Sequence, residues 1–172
     1  MKKIILETER LILSEFDSDD SGMIFDLLNS PGWLKYIGTR NINSLSDAEE
    51  YINSRLKKGY EESGYGFYLV TVKATGEKAG MCGLVKRAGL DNTDLGFALL
   101  PEFENKGYAF ESASAVIKYA VEILHMKQLD AITVPYNLPS IKLLEKLGLQ
   151  LVKKINIPGD TEELLLYSIK LN

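Results

Sequence analysis

The sequence is poor in the residues that usually carry metal, disulfide and nucleophile chemistry. Its 172 residues include one cysteine, Cys82, and one histidine, His125. One cysteine forms no internal disulfide, and the pair excludes every zinc or iron-sulfur constellation built from Cys and His. Cys82 lies in the strand-like run "KAGMCGLV", where a small buried side chain is the expected reading. His125 closes a helical stripe and is expected to bond terminal carbonyls and favour the helix dipole. Excess positive charge is also missing. The formal net charge is -4, so no basic footprint suggests a nucleic acid or an anionic membrane as partner. Long apolar runs are scarce: "MKKIILETERLILSEF" is interrupted at Glu7, Glu9 and Arg10 before it reaches signal-peptide length, and no other stretch is long enough to span a bilayer. The expected location is cytoplasmic, with no metal.

What is present is enough apolar material for one core. At 172 residues, 45% of them hydrophobic, the chain reads as a single domain over 1–172. Residues 8 to 16, "TERLILSEF", alternate as a strand, and Asp17 to Asp20 supply N-cap candidates for a helix carrying Met23, Ile24, Leu27 and Leu28. Pro31-Gly32 breaks that helix. A second begins in "SLSDAEEYI", with Ser46 as N-cap, Glu49 completing a capping box, and Ala48, Ile52 and Leu56 on one face. Three strand-like runs follow between residues 66 and 100, separated by Ala74 to Gly76 and by Gly89 to Asn92, which predicts an antiparallel meander. The period then changes to helical from Ala109 to Leu124, and "QLDAITVP" returns to strand. Strand, helix and strand over 93–135 predict a parallel pair with a right-handed crossover. "NLPSIKLLEKLGLQL" predicts a short helix capped by Asn137, with Pro139 in its first turn and Gly148 as its left-handed stop. A hairpin turning at Pro158-Gly159-Asp160 closes the chain. The fold class is mixed α+β.

The chemistry concentrates at one strand-to-helix corner, "LLPEFENKGYAFESASAVIKYA". A helix N-terminus leaves backbone N–H groups unpaired and carries about half a positive charge. Asn105 to Ala109 would present such amides, Gly107 allows close approach or a positive φ, Ala109 keeps the first turn free of bulk, and Lys106 adds a charge. In isolation the segment fits an anion cradle or an ordinary turn equally. A nucleotide triphosphate loop is excluded, because Lys106 precedes its glycine and no Gly-Lys-Ser/Thr end is present. Asn137 and Ser140 lie at the carboxyl end of the neighbouring parallel strand, on the same sheet edge. Between the two strands, backbone groups of Phe97, Ala98, Leu99 and Leu100 would face an extended ligand.

Taken together, these segments resemble the GCN5-related N-acetyltransferase (GNAT) superfamily, and most of all its RimJ/RimL-type branch of ribosomal-protein acetyltransferases. The likeness runs through "TERLILSEFDSDD", "DAEEYI", "TDLGFALLPEFENKGYAFES" and "NLPSIKLLEKLGL". It implies a GNAT-like fold: a mostly antiparallel twisted sheet, one parallel pair splayed at the acetyl-CoA site, and about four flanking helices. It also implies acetyl-CoA as donor, with pyrophosphate on the amides of Asn105, Lys106, Gly107, Tyr108 and Ala109, and pantetheine against Phe97 to Leu100. The chain departs from the superfamily at Glu104, where Gln or Arg is common. It also has Leu144 where many relatives place a tyrosine acid.

Acyl transfer to an amine needs a neutral nucleophile, a place for the developing oxyanion and a proton for the thiolate. Asp94 matches the position where the branch has Glu and is a candidate base, against a solvated strand-edge carboxylate. Ser140 and Tyr136 are candidate acids, against helix capping and core filling respectively. Asn137 is a candidate for the pantetheine amide, and a backbone N–H near Ala98 or Leu99 for the oxyanion. Trp33, Tyr36 and Arg40 are candidates to shape the acceptor pocket; Arg40 or Lys35 facing the cleft would suit an acidic acceptor. The expected activity is acetyl transfer to a primary amine, for which a peptide N-terminus is the branch's precedent. A small amine or antibiotic as acceptor, a non-catalytic acyl-CoA sensor and a structural domain stay open, as do monomer and homodimer.

Overall fold

The computed structural model describes residues 1–172. Its eight strands are β1 (Ile4–Glu7), β2 (Leu11–Ser14), β3 (Phe67–Val72), β4 (Lys78–Val85), β5 (Asp94–Leu99), β6 (Gln128–Thr133), β7 (Gln150–Ile155) and β8 (Leu164–Lys170). They form one sheet in the order β1-β2-β3-β4-β5-β6-β8-β7. Every neighbouring pair is antiparallel except β5 and β6. The meander, the crossover and the closing hairpin are therefore as predicted, with β8 returning between β6 and β7.

Residues Ala79 to Leu84 of β4 are all buried, which in an alternating strand requires cover on both faces. Cys82 turns its thiol to Ser112 on α5 (Tyr108–Glu122). On the other face lie α1 (Ser21–Leu28) and α3 (Leu45–Tyr51), packed on each other, with α1 also reaching β4. Ala113, Val116 and Ala120 of α5 are fully buried, as the helical spacing of that stripe requires.

Three local readings change. Pro31-Gly32 ends α1 but also starts a short helix, α2 (Pro31–Tyr36), because proline at the first helical position lacks only an N–H that would be unpaired there. The chain thus carries five helical bodies rather than about four, since α3 continues through a π-type turn at Ile52–Leu56 into α4 (Lys57–Ser63). The N-cap of α3 is Ser44, not Ser46: its hydroxyl accepts from the Asp47 N–H at 3.0 Å, and the Asp47 carboxylate accepts from the Asn43 N–H at 2.9 Å. Ser46 and Glu49 are exposed positions within that helix. The last helix, α6 (Leu138–Lys146), follows its prediction: Asn137 accepts from the Ser140 N–H, and Gly148 takes φ 95° just beyond the helix.

Candidate active site

The parallel pair has a single registered contact, Asp94 opposite Asp130. Beyond it β5 and β6 part. Backbone direction on β5 follows from one bond: the Leu100 N–H donates to Ala79 O at 2.8 Å, so Leu100 and, by alternation, Ala98 turn their polar groups to β4. Phe97 and Leu99 therefore turn theirs to the gap. Thr93 O, of the same parity, accepts from the Asp130 N–H at 2.9 Å and confirms the alternation.

At the carboxyl end of β5 the chain makes the amide corner. Asn105 and Gly107 both adopt left-handed conformations, at φ 59° and 81°. Gly107 is the N-cap of α5 and offers no side-chain acceptor. The first intrahelical bond runs from Glu111 N to Gly107 O, so the amides of Tyr108, Ala109 and Phe110 lack internal partners. Arg10, at the β1-β2 turn, clamps the corner from behind. Its Nε donates to Glu111 Oε2 at 2.6 Å, its Nη1 to Lys106 O at 2.9 Å, and its guanidinium stacks 4.7 Å from the Tyr108 ring centre. Burial raises Glu111, but bonds from Thr8 and Arg10 outweigh it and hold the carboxyl below its ordinary range. Sequence inspection missed this clamp because Arg10 and Glu111 are a hundred residues apart. Lys106 turns its ammonium over the Phe103 ring, 5.6 Å away. Glu104 is exposed and reaches toward α2, with Oε1 3.8 Å from where a Cβ on Gly32 would lie.

Asp94 sits where the strands begin to part. It is 2% exposed, so the solvated strand-edge reading is corrected: pairing on both sides and the cover of the sheet remove it from water. Arg87 Nε donates to its Oδ2 at 2.9 Å, while Oδ1 is buried without a partner. Burial pushes the carboxyl up to about 6, against the opposing pull of Arg87 and of the Ile132 N–H on β6, and with a further push from Asp130. Asp130 is itself buried and receives bonds from Asn92 Nδ2 and, at 2.8 Å, from Ser168 Oγ. Neither Arg87 nor Asp130 carried a sequence signal, since only the register of β5 on β6 brings them to Asp94.

Ser140 is half-buried at the start of α6 and uses its backbone N–H, not its hydroxyl, in the cap. Asn137 is committed to that cap by its Oδ1. Tyr136 is 47% exposed rather than core filler, because it follows the end of β6 and leaves the sheet. Its hydroxyl donates to Glu162 Oε2 at 3.0 Å, and its ring lies 6.0 Å from that of Tyr36. The bond to Glu162 pushes its phenol up. Trp33 is 8% exposed and its buried Nε1 has no partner. Arg40 lies over its ring, 5.9 Å from the centre. Leu144 is 1% exposed and belongs to the core. Burial pushes Cys82 up to about 12, which removes it as a nucleophile at neutral pH. His125 takes φ 54° beyond α5, exposed and without a hydrogen bond to the helix carbonyls expected of it. No group of three or more His, Cys, Asp or Glu side chains is arranged to hold a metal, and no helix is long and apolar enough to cross a membrane.

Residues 10–150 match the family model for the acetyltransferase (GNAT) domain. The chain is 29% identical over 147 residues to the uncharacterized N-acetyltransferase p20 of Bacillus licheniformis, covering 84% of this chain and 82% of that one. It is 24% identical over 145 residues to the uncharacterized N-acetyltransferase YnaD of Bacillus subtilis, with the same coverage of each. Its fold superposes on RimL, the ribosomal L7/L12 alpha-N-protein acetyltransferase, with a TM-score of 0.83 at 15% identity, over 99% of this chain and 96% of that one. The amide corner, the parted strands and the donor set at their edge fit acetyl-CoA, the acetyl donor of this family. The chain belongs to the GNAT acetyltransferases.

Proposed function

We propose that the protein transfers an acetyl group from acetyl-CoA directly to a primary amine, with Asp94 as the base. The observation that carries this reading is the gap between β5 and β6, which has an amide corner at one end and a buried, half-partnered carboxylate at the other. The free amides after Gly107 suit a pyrophosphate. The backbone groups of Phe97 and Leu99 suit a pantetheine amide chain that pairs like an added strand.

Asp94 accepts the amine's proton at Oδ1, directly or through a water, as the nitrogen bonds to the carbonyl carbon. A base titrating at about 6 is ionised at neutral pH yet retains affinity for a proton. The Leu99 N–H, turned to the gap, is the assigned donor to the charge developing on the carbonyl oxygen. The carbon–sulfur bond breaks as the carbon–nitrogen bond completes, and the Ser140 hydroxyl donates a proton to the sulfur and recovers it from solvent. Tyr136 fits this role less well, because its proton is held by Glu162.

A sensor that binds acyl-CoA without turnover needs no buried base, so Asp94 favours the enzyme. The test is release of CoA thiol with a panel of primary amines, including peptides with free N-termini. Amine-dependent release supports the reading. Tight acetyl-CoA binding with no release for any amine would instead favour the sensor.

A further inference from the structure

The stretch between α2 and α4 carries positive charge that the chain does not neutralise. Tyr51 stands at the end of α3, Arg40 donates to its hydroxyl, and the charges of Arg55 and Arg87 also act on it. Burial pushes that hydroxyl up, and the guanidinium groups oppose the shift. Arg55 lies on the π-type turn one helical step after Tyr51, which puts the two on the same side. Such turns are concentrated at functional positions in helices.

Arg87 is neutralised by Asp94. Arg40 and Arg55 form no ion pair with any carboxylate. Arg40 donates to Thr39 O of its own loop, at 3.3 Å, and to the Tyr51 hydroxyl, and neither partner neutralises it. Two uncompensated guanidinium groups thus share one region of a protein whose net charge is -4. Trp33 Nε1, in the ring beneath Arg40, and Asp94 Oδ1, on the carboxylate that Arg87 binds, are buried polar atoms without side-chain partners. A ligand that supplies both an acceptor and a donor would match these two groups. A guanidinium matches a carboxylate or a phosphate through paired N–H donors.

We propose that Arg40 and Arg55, with the Tyr51 hydroxyl between them, hold an oxyanion of the acceptor, so that the substrate is a primary amine carrying a carboxylate or a phosphate. The amine is delivered to Asp94 while its anionic group stays on the arginines. This rests on the transferase reading above and names the substrate class for it.

The test uses the full chain and two matched pairs of amines. One pair is an alanyl peptide with glutamate in second place and the same peptide with glutamine; the other is phosphoethanolamine and ethanolamine. In the wild type, kcat/KM for the anionic member of at least one pair exceeds that of its neutral partner by about tenfold. The pair that shows it tells a carboxylate from a phosphate. In the double variant Arg40→Gln, Arg55→Gln the ratio falls toward one, and added salt narrows it in the wild type. Thermal shifts of the CoA-saturated protein by the same four amines repeat the comparison without turnover. Ratios near one in the wild type for both pairs, or a ratio that survives the double substitution, overturn the subsite while leaving the transferase intact. Absence of any thermal shift with acetyl-CoA and of any thiol release overturns the transferase reading, and the subsite with it.

Discussion

At the scale of single residues, the chemistry turns on how far water is kept from Asp94. A carboxyl at the end of a two-sided strand loses its hydration, and the Arg87 guanidinium and the Ile132 N–H only partly compensate, so its proton is held up to about 6. The rate should therefore rise with pH through that value. Asp94→Asn should flatten this limb and lower kcat by about a hundredfold or more; a pH-rate profile and circular dichroism of the variant check both activity and fold. Stability carries the opposite sign. The carboxyl titrates at its ordinary 3.8 when unfolded and near 6 when folded, so the folded state binds more protons and loses stability as pH rises between those values. Melting of the wild type at a series of pH values should show that loss, and Asp94→Asn should not. Asp94, the proposed base, was legible as a residue type at a family position, but its burial, its partner Arg87 and its neighbour Asp130 were not. All three depend on strand register.

At the scale of elements, α5 and the turn before it form one unit, the proposed pyrophosphate corner. Gly107 is held at φ 81°, and a Cβ there would come within 3.1 Å of Arg10 Nη2. Gly107→Ala should cost roughly 1–2 kcal/mol of stability for the left-handed conformation and raise the KM for acetyl-CoA several-fold, as read by melting and steady-state kinetics. Arg10 is a positioning residue for the same corner. Arg10→Gln should raise the KM for acetyl-CoA while leaving turnover of acetyl-pantetheine, which lacks the pyrophosphate, unaffected; an equal loss with both donors would mean a general structural role. Local signals wrote most of this element: a glycine, an amide-rich turn and a helical stripe are adjacent in sequence. The same adjacency misled at α3, where Ser44 and Ser46 both offer a hydroxyl. Ser44 prevails because its backbone is extended, at φ -149° and ψ 165°, and because Asp47 gives its N–H to the Ser44 hydroxyl and accepts at its carboxylate from the Asn43 N–H just before the cap.

At the scale of the whole molecule, one core ties both halves of the site together. Leu144 of α6 and Leu95 of β5 belong to the same buried cluster, so the segment carrying Asn137 and Ser140 is anchored to the strand carrying Asp94. Leu144→Ala should cost about 2–5 kcal/mol and lower the denaturant midpoint. Acetyl-CoA at a hundred times its dissociation constant should add about 2.7 kcal/mol to the wild type, and calorimetry with and without ligand checks that gain.

The sequence by itself determined the order of the elements, the parallel crossover, the amide corner and the family, because each is written in periodicity or in residues a few positions apart. Tertiary structure alone decided which backbone groups face the gap, that Asp94 is dry, and that the Arg40 side chain meets the Tyr51 hydroxyl. Those facts depend on register and packing between segments distant in the chain, and a carboxylate or guanidinium acquires its chemistry from the water and charge that such packing removes or adds.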